Sequence, residues 1–458
     1  MTRANPSLEC LREYLRIPEG LLVCPAVNAD ELPIAPGFFR FRGQTCYGRS
    51  SSGTTLDARR AAEFDVPFDA ERAGLPFIFA EVIDNLRFER YRQMVTHKRE
   101  VFAGKTLFRK LYGAVWPVPL LRRGLQRAYF SDWKTLPFPT WPVDVTVDAL
   151  HREYLRLVMR MSGINKIPFI WFWPEGAGSC LTTTHDVETS AGRDFTSRLM
   201  DLDDSFGIRA SFQVVPEERY AVPDDYIAEI KARGFEFNVH DLNHDGNLYQ
   251  DWEQFEGRAK SINAYVRQYR ARGFRAGSMY RRQDWYAAFE FAYDMSVPNV
   301  AHLEPMRGGC CTVMPYFIGD ILELPLTLTE DYSLFYILQE YSLDLWKRQL
   351  RTIRQQNGLM SILVHPDYVI EKRARGTYEN LLCYLNELRA KEDVWFALPG
   401  EINDWWRARS EMKLVPKPGG WEIVGPSSER ARLAYAVSEG DQLAYEIAGA
   451  ACGSPAVQ

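Results

Sequence analysis

LTTTHDVETS, residues 181–190, opens as a run of small, β-prone residues and stops abruptly at His185-Asp186-Val187-Glu188. Two acids two positions apart, at the end of a buried strand, pose an energetic problem. A carboxylate taken out of water is costly unless it is paired, hydrogen-bonded or bound to a metal ion. The strand therefore predicts a partner for Asp186 and Glu188. A bland alternative is that the two acids cap and open a following helix.

Outward from this stretch, short apolar runs alternate with helical segments. The runs are CLTTTHD, IRASFQVVP, FEFNVHD, FRAGSMY, ILELPLTL, SILVHPD and VWFALPG. Amphipathic stretches at 223–234, 256–273 and 343–358 lie between them. Strand and helix in alternation call for βα units and a mainly parallel sheet. About seven or eight units predict an α/β fold, a distorted (β/α) barrel whose functional groups sit where strands end. The barrel is expected over 171–411. Residues 1–170 form an α+β extension, with a hairpin at 37–50 and helices at 80–95 and 147–163. Residues 412–458 read as a small β appendage.

The ends of the other runs carry the same kind of group. FEFNVHDLNHDG ends on His240 and His244, FRAGSMYRR supplies Arg275, YDMSVPN supplies Asp294, and SILVHPDY ends on His365. The chain has only seven histidines, so three of them at strand ends is a pattern. His-x-x-x-His puts two imidazoles on one face if the chain turns helical after the strand. Two histidines and one acid make a catalytic metal set with open positions. The bland readings are surface loop histidines, a satisfied core His365 and a structural Arg275 ion pair. Cys310-Cys311 follow two glycines, but buried inert thiols are the commoner fate of such residues.

These residues resemble the polysaccharide deacetylases, the carbohydrate esterases with a NodB-homology domain. The resemblance covers about 175–408. It implies a distorted β/α barrel that removes N- or O-acetyl groups from sugars with one divalent metal ion, zinc first and cobalt, nickel, manganese or iron as alternatives. By the same resemblance Asp186 is the catalytic base, Glu188, His240 and His244 are the metal ligands, and Arg275 holds the base. His365, in Leu-x-His, is the general acid, with Asp294 as its supporting acid. Three departures stand out. Val187 separates acids that are more often adjacent, Asp241 follows the first histidine, and the Arg275 segment lacks its proline.

Composition narrows the classes. The chain has 458 residues, 46% hydrophobic, with a net charge of −5. No basic domain marks a nucleic-acid partner. The eight cysteines are scattered without a CxxC pair, which suits reduced thiols. No leader-like apolar segment is evident at the N-terminus, so a cytoplasmic setting is expected. The segment 105–130 mixes Lys105, Arg109, Arg122 and Arg123 with Phe108, Trp116 and Leu121. Such a stretch can lie at the inner face of a membrane, although a helix pair packed on the barrel is the simpler reading. The expected partner is an acetylated sugar or sugar precursor, in the making of a cell-surface polysaccharide. The alternatives are a hydrolase of cyclic amides or imides, and a barrel that binds carbohydrate without turnover.

Overall fold

The structure, a computed structural model, describes residues 5–64, 74–92, 129–440 and 442–449. It divides into two compact units. One comprises Met1–Leu86, Thr146–Gly178 and Asp404–Gln458, the other Arg87–Val145 and Ser179–Asn403. In the first unit, β1 (Gly37–Phe41) and β2 (Gln44–Gly48) form the expected hairpin, and β3 (Glu63–Phe64) joins β1 in parallel. The helix Thr146–Met161 buries Val147, Leu150, Tyr154 and Val158, a stripe at helical spacing. It is followed by β4 (Lys166–Ile170).

The second unit holds the mainly parallel sheet. In chain order its strands are β5 (Ser179–Val187), β6 (Ser211–Val214), β7 (Glu236–His240), β8 (Gly273–Arg275), β9 (Tyr293–Asp294), β10 (Tyr316–Ile318), β11 (Ile321–Glu323), β12 (Leu359–Leu363) and β13 (Val394–Phe396). Their spatial order is β10-β11-β9-β8-β7-β6-β5-β12, with β13 also on β5. Only β10 runs antiparallel to its neighbour. This is the distorted β/α barrel expected from the alternation of runs. Between β11 and β12 the chain makes no regular strand. Leu328 N donates to Ser361 O and Thr327 Oγ1 to Leu359 O, which stitches residues 327–328 onto β12.

All nine residues of β5 are buried. Thr, Val and Leu suit a pleated surface packed on both sides. Successive side chains leave the strand on opposite faces. Leu181 and Val187 join the apolar core that the surrounding helices cover. His185 bonds Asp203 of the helix Ser190–Ser205 on that face, at 2.9 Å. Thr184 and Asp186 leave the other way, toward Arg275. That helix is capped by Thr189, whose Oγ1 accepts from Gly192 N. Capping is thus the work of Thr189, and Asp186 and Glu188 are left for other work.

The tail returns to the first unit. Strands β14 (Lys413–Lys417) and β15 (Gly420–Val424) form one hairpin, β16 (Leu433–Glu439) and β17 (Gln442–Ile447) another. Strand β16 also pairs antiparallel with β4, so the second hairpin completes a three-stranded sheet with the N-terminal segment. Apart from Tyr129 and Phe130, the basic aromatic segment 105–130 lies outside the described residues. Among the described residues no helix is long and apolar enough to cross a membrane.

Candidate metal and acid–base site

Glu188, His240 and His244 converge at the C-terminal ends of β5 and β7, with one donor atom from each within 4.8 Å of the others. His240 is the last residue of β7. Its Nδ1 lies 3.0 Å from the Arg275 carbonyl oxygen, which can only accept, so Nδ1 carries the proton and Nε2 a lone pair. That Nε2 is buried and has no hydrogen-bond partner. His244 Nε2 stands 3.0 Å from Glu188 Oε1. A buried imidazole lone pair aimed at a second imidazole and a carboxylate fits a divalent cation.

The two histidines meet by a different route from the helical turn that their spacing predicts. Asp241 and His244 adopt left-handed backbone, with φ of 56° and 52°. Asp241 Oδ2 accepts from Gly277 N at 3.1 Å, which pins this turn to the end of β8. Gly277 is required there, because a Cβ would lie 2.7 Å from that Oδ2 and 2.9 Å from the His244 ring.

Asp186 flanks this set. Arg275 Nη1 donates to its Oδ1 at 2.8 Å and to Thr184 Oγ1 at 2.9 Å, and Nε donates to the Met295 carbonyl. Asp186 Oδ2 lies 3.6 Å from His240 Nε2. Burial pushes the Asp186 carboxyl upward, but Arg275 and then His240 outweigh it and hold it below the usual range. Asp186 is therefore an ionised carboxylate at neutral pH.

His365 lies just past β12, opposite Asp186. Here the structure corrects the sequence reading. The acid that supports His365 is Asp331, not Asp294. Asp331 Oδ1 is 2.6 Å from His365 Nδ1, and Oδ2 accepts from the His365 backbone N at 2.8 Å. Burial lowers the His365 pKa, but Asp331 overrides it and raises it well above the ordinary value. Its Nε2 faces Glu188 Oε1 at 3.7 Å. Asp294 is spent elsewhere, accepting from Tyr286 Oη at 2.8 Å and from Ser296.

Two further residues hold Glu188. Asp367 Oδ2 accepts from its backbone N at 3.0 Å, and Tyr368 Oη donates to its Oε2 at 3.3 Å. Asp245, by contrast, is tied to Arg258. Cys310 and Cys311 are fully buried, and burial raises the Cys311 thiol far from a nucleophile's range.

No family model and no curated protein matches the chain. Similar solved structures include polysaccharide deacetylases and an allantoinase. A Mycobacterium smegmatis protein assigned as a polysaccharide deacetylase shares 18% identity over 54% of this chain and 96% of its own, with a TM-score of 0.42. An allantoinase shares 15% over 52% of this chain and 92% of its own, with a TM-score of 0.41. The peptidoglycan deacetylase PdaC of Bacillus subtilis shares 10% over 52% and 95%, with a TM-score of 0.34.

Proposed function

We propose that the chain is a metal-dependent hydrolase that removes acetyl groups from a sugar. One observation carries this reading. A two-histidine, one-carboxylate donor set stands between an ionised acid held by arginine and a charged histidine held by a second acid. Glu188, His240 and His244 would hold a divalent ion, zinc in the first instance. When bound, such an ion supplies Lewis acidity to water and to the acyl carbonyl.

The chain's own residues do the rest. Asp186 takes the proton of the attacking water through its oxygen that faces the donor set, while Arg275 keeps it ionised and oriented. Amine expulsion needs a proton, and His365 Nε2 delivers it across the site. Asp331 fixes the tautomer by holding Nδ1. Asp367 and Tyr368 keep Glu188 in place as the charge shifts.

Metal content by mass spectrometry, followed by acetate release from N- and O-acetylated sugars, tests the reading. About one equivalent in the wild type, lost in His240→Ala and Glu188→Ala, is the expected result. No metal in the wild type after reloading with zinc or cobalt would sink it. Turnover of a cyclic amide without acetate release would keep the chemistry and replace the substrate.

A further inference from the structure

His185 directly precedes Asp186 but leaves β5 on the opposite face, away from the donor set. Its ring is fully buried, and both nitrogens are engaged. Nδ1 lies 2.7 Å from the Val364 carbonyl oxygen, which can only accept, so Nδ1 donates. Nε2 lies 2.9 Å from Asp203 Oδ2. A bare lone pair would repel a carboxylate oxygen, so a proton lies between those two atoms. Asp203 is held in turn by Tyr378 of the helix Lys372–Lys391, whose Oη donates to Oδ1 at 2.7 Å.

Val364 is the residue before His365, and the peptide unit that joins them is gripped on both sides. Its oxygen accepts from His185 Nδ1, and its N–H donates to Asp331 Oδ2 at 2.8 Å. The other oxygen of Asp331 holds His365 Nδ1 at 2.6 Å. An unbroken run of hydrogen bonds therefore leads from Tyr378 through Asp203, His185, the 364–365 peptide and Asp331 to the ring that delivers the proton.

A core that needed only volume at position 185 would be served by leucine or phenylalanine. A buried polar network is costly unless each member is satisfied, and a fully satisfied one fixes a single geometry. Here His185, Asp203 and Tyr378 satisfy one another, and the run ends on a reacting group. We propose that His185 is a positioning residue for the general acid. By donating to the Val364 carbonyl it sets the plane of the 364–365 peptide, and with it the aim of His365. This rests on the deacetylase reading and adds to that site a residue that touches no reacting atom.

The test uses the full chain loaded with zinc. It compares the wild type with His185→Asn and His185→Leu, both made with Asp203→Asn so that no unpaired acid stays in the core. Asparagine donates from Nδ2 where histidine donates from Nδ1, whereas leucine fills space and donates nothing. Histidine-ring NMR follows the proton between His365 Nδ1 and Asp331, assigned by its loss in Asp331→Asn. Its resonance should move in the leucine variant and stay in the asparagine variant. In the wild type both His185 nitrogens should carry protons, and a bare Nδ1 overturns the proposal with no substitution needed. Hydrolysis of 4-nitroacetanilide, whose amine leaves only when protonated, is set against that of 4-nitrophenyl acetate, whose phenolate leaves without a proton. The leucine variant should lose about a hundredfold in kcat on the anilide, with KM held, and far less on the ester. The asparagine variant should recover most of that loss. An unmoved resonance in the leucine variant overturns the proposal, as do equal losses on anilide and ester, which would make His185 a packing residue only. A zinc-loaded wild type that hydrolyses neither probe nor any N- or O-acetylated sugar loses the deacetylase reading, whatever the resonances show.

Discussion

Arg409 in the first unit and Arg275 in the second are both buried guanidiniums, 1% and 0% exposed, and they donate to partners of different kinds. Arg409 donates only to neutral carbonyls, those of Trp171 at 2.9 Å, Ile170 at 2.8 Å and Tyr14 at 3.1 Å. It also lies against the faces of Phe172 and Trp406. Burial pushes its pKa down to about 9. Arg275 donates to a carbonyl, a hydroxyl and a carboxylate. One charge ties three backbone segments together and leaves nothing reactive nearby. The other holds an acid by one oxygen and leaves the second facing the histidines. Cost of burial is similar in the two places, so what distinguishes scaffold from site is the partner left with a free valence.

Asp186→Asn attacks that distinction most directly. The amide still faces Arg275 but cannot take a proton. Turnover should fall about a thousandfold with metal content unchanged, measured by acetate release and mass spectrometry. A fall of only a few-fold would erase the contrast between the two arginines.

Arg409→Met sharpens it from the other side. Three backbone carbonyls lose their donor, and stability should drop by about 3 kcal/mol in urea unfolding. Turnover per folded molecule should stay at the wild-type level. An equal loss of turnover would make Arg409 part of the site and break the comparison.

Asp331→Asn should cost about tenfold to a hundredfold in turnover, because His365 loses the anion that keeps it charged. The sign in pH follows. His365 acts protonated, so activity is lost as pH rises through its pKa, and removing Asp331 lowers that pKa. The alkaline limb of the pH–rate profile should move to lower pH. Asp294→Asn makes the smallest change, about 1 kcal/mol of stability, with the pH profile unmoved.

The legible part of the molecule was its buried strands. Strand β5 declared itself because small β-branched residues end abruptly in charge, and His240 and His365 follow their strands in the same way. Asp331 leaves no such signal, because residues 327–328 meet β12 through side-chain and isolated backbone bonds rather than a ladder. Asp294, at the end of a two-residue strand, carries the plainer sequence signal. His244 was expected one helical turn beyond His240 and arrives instead through a left-handed bend pinned by Asp241 and Gly277. The tail looked self-contained because hairpins are local, whereas the β4 partner of β16 lies far upstream.

Strand β5 also gives the site a parity. Its even-numbered residues carry Thr184 and Asp186 toward the reacting groups, and its odd-numbered residues carry Leu181, His185 and Val187 toward the helices. Val187 between the two acids keeps both on the even side. The strand has hydrogen-bonded neighbours along both edges, β12 on one side and β6 and β13 on the other, so it cannot slide to absorb an error. A single residue inserted before His185 would send the acid into an apolar layer and a histidine into its place, while a pair of inserted residues would return every side chain to its own face.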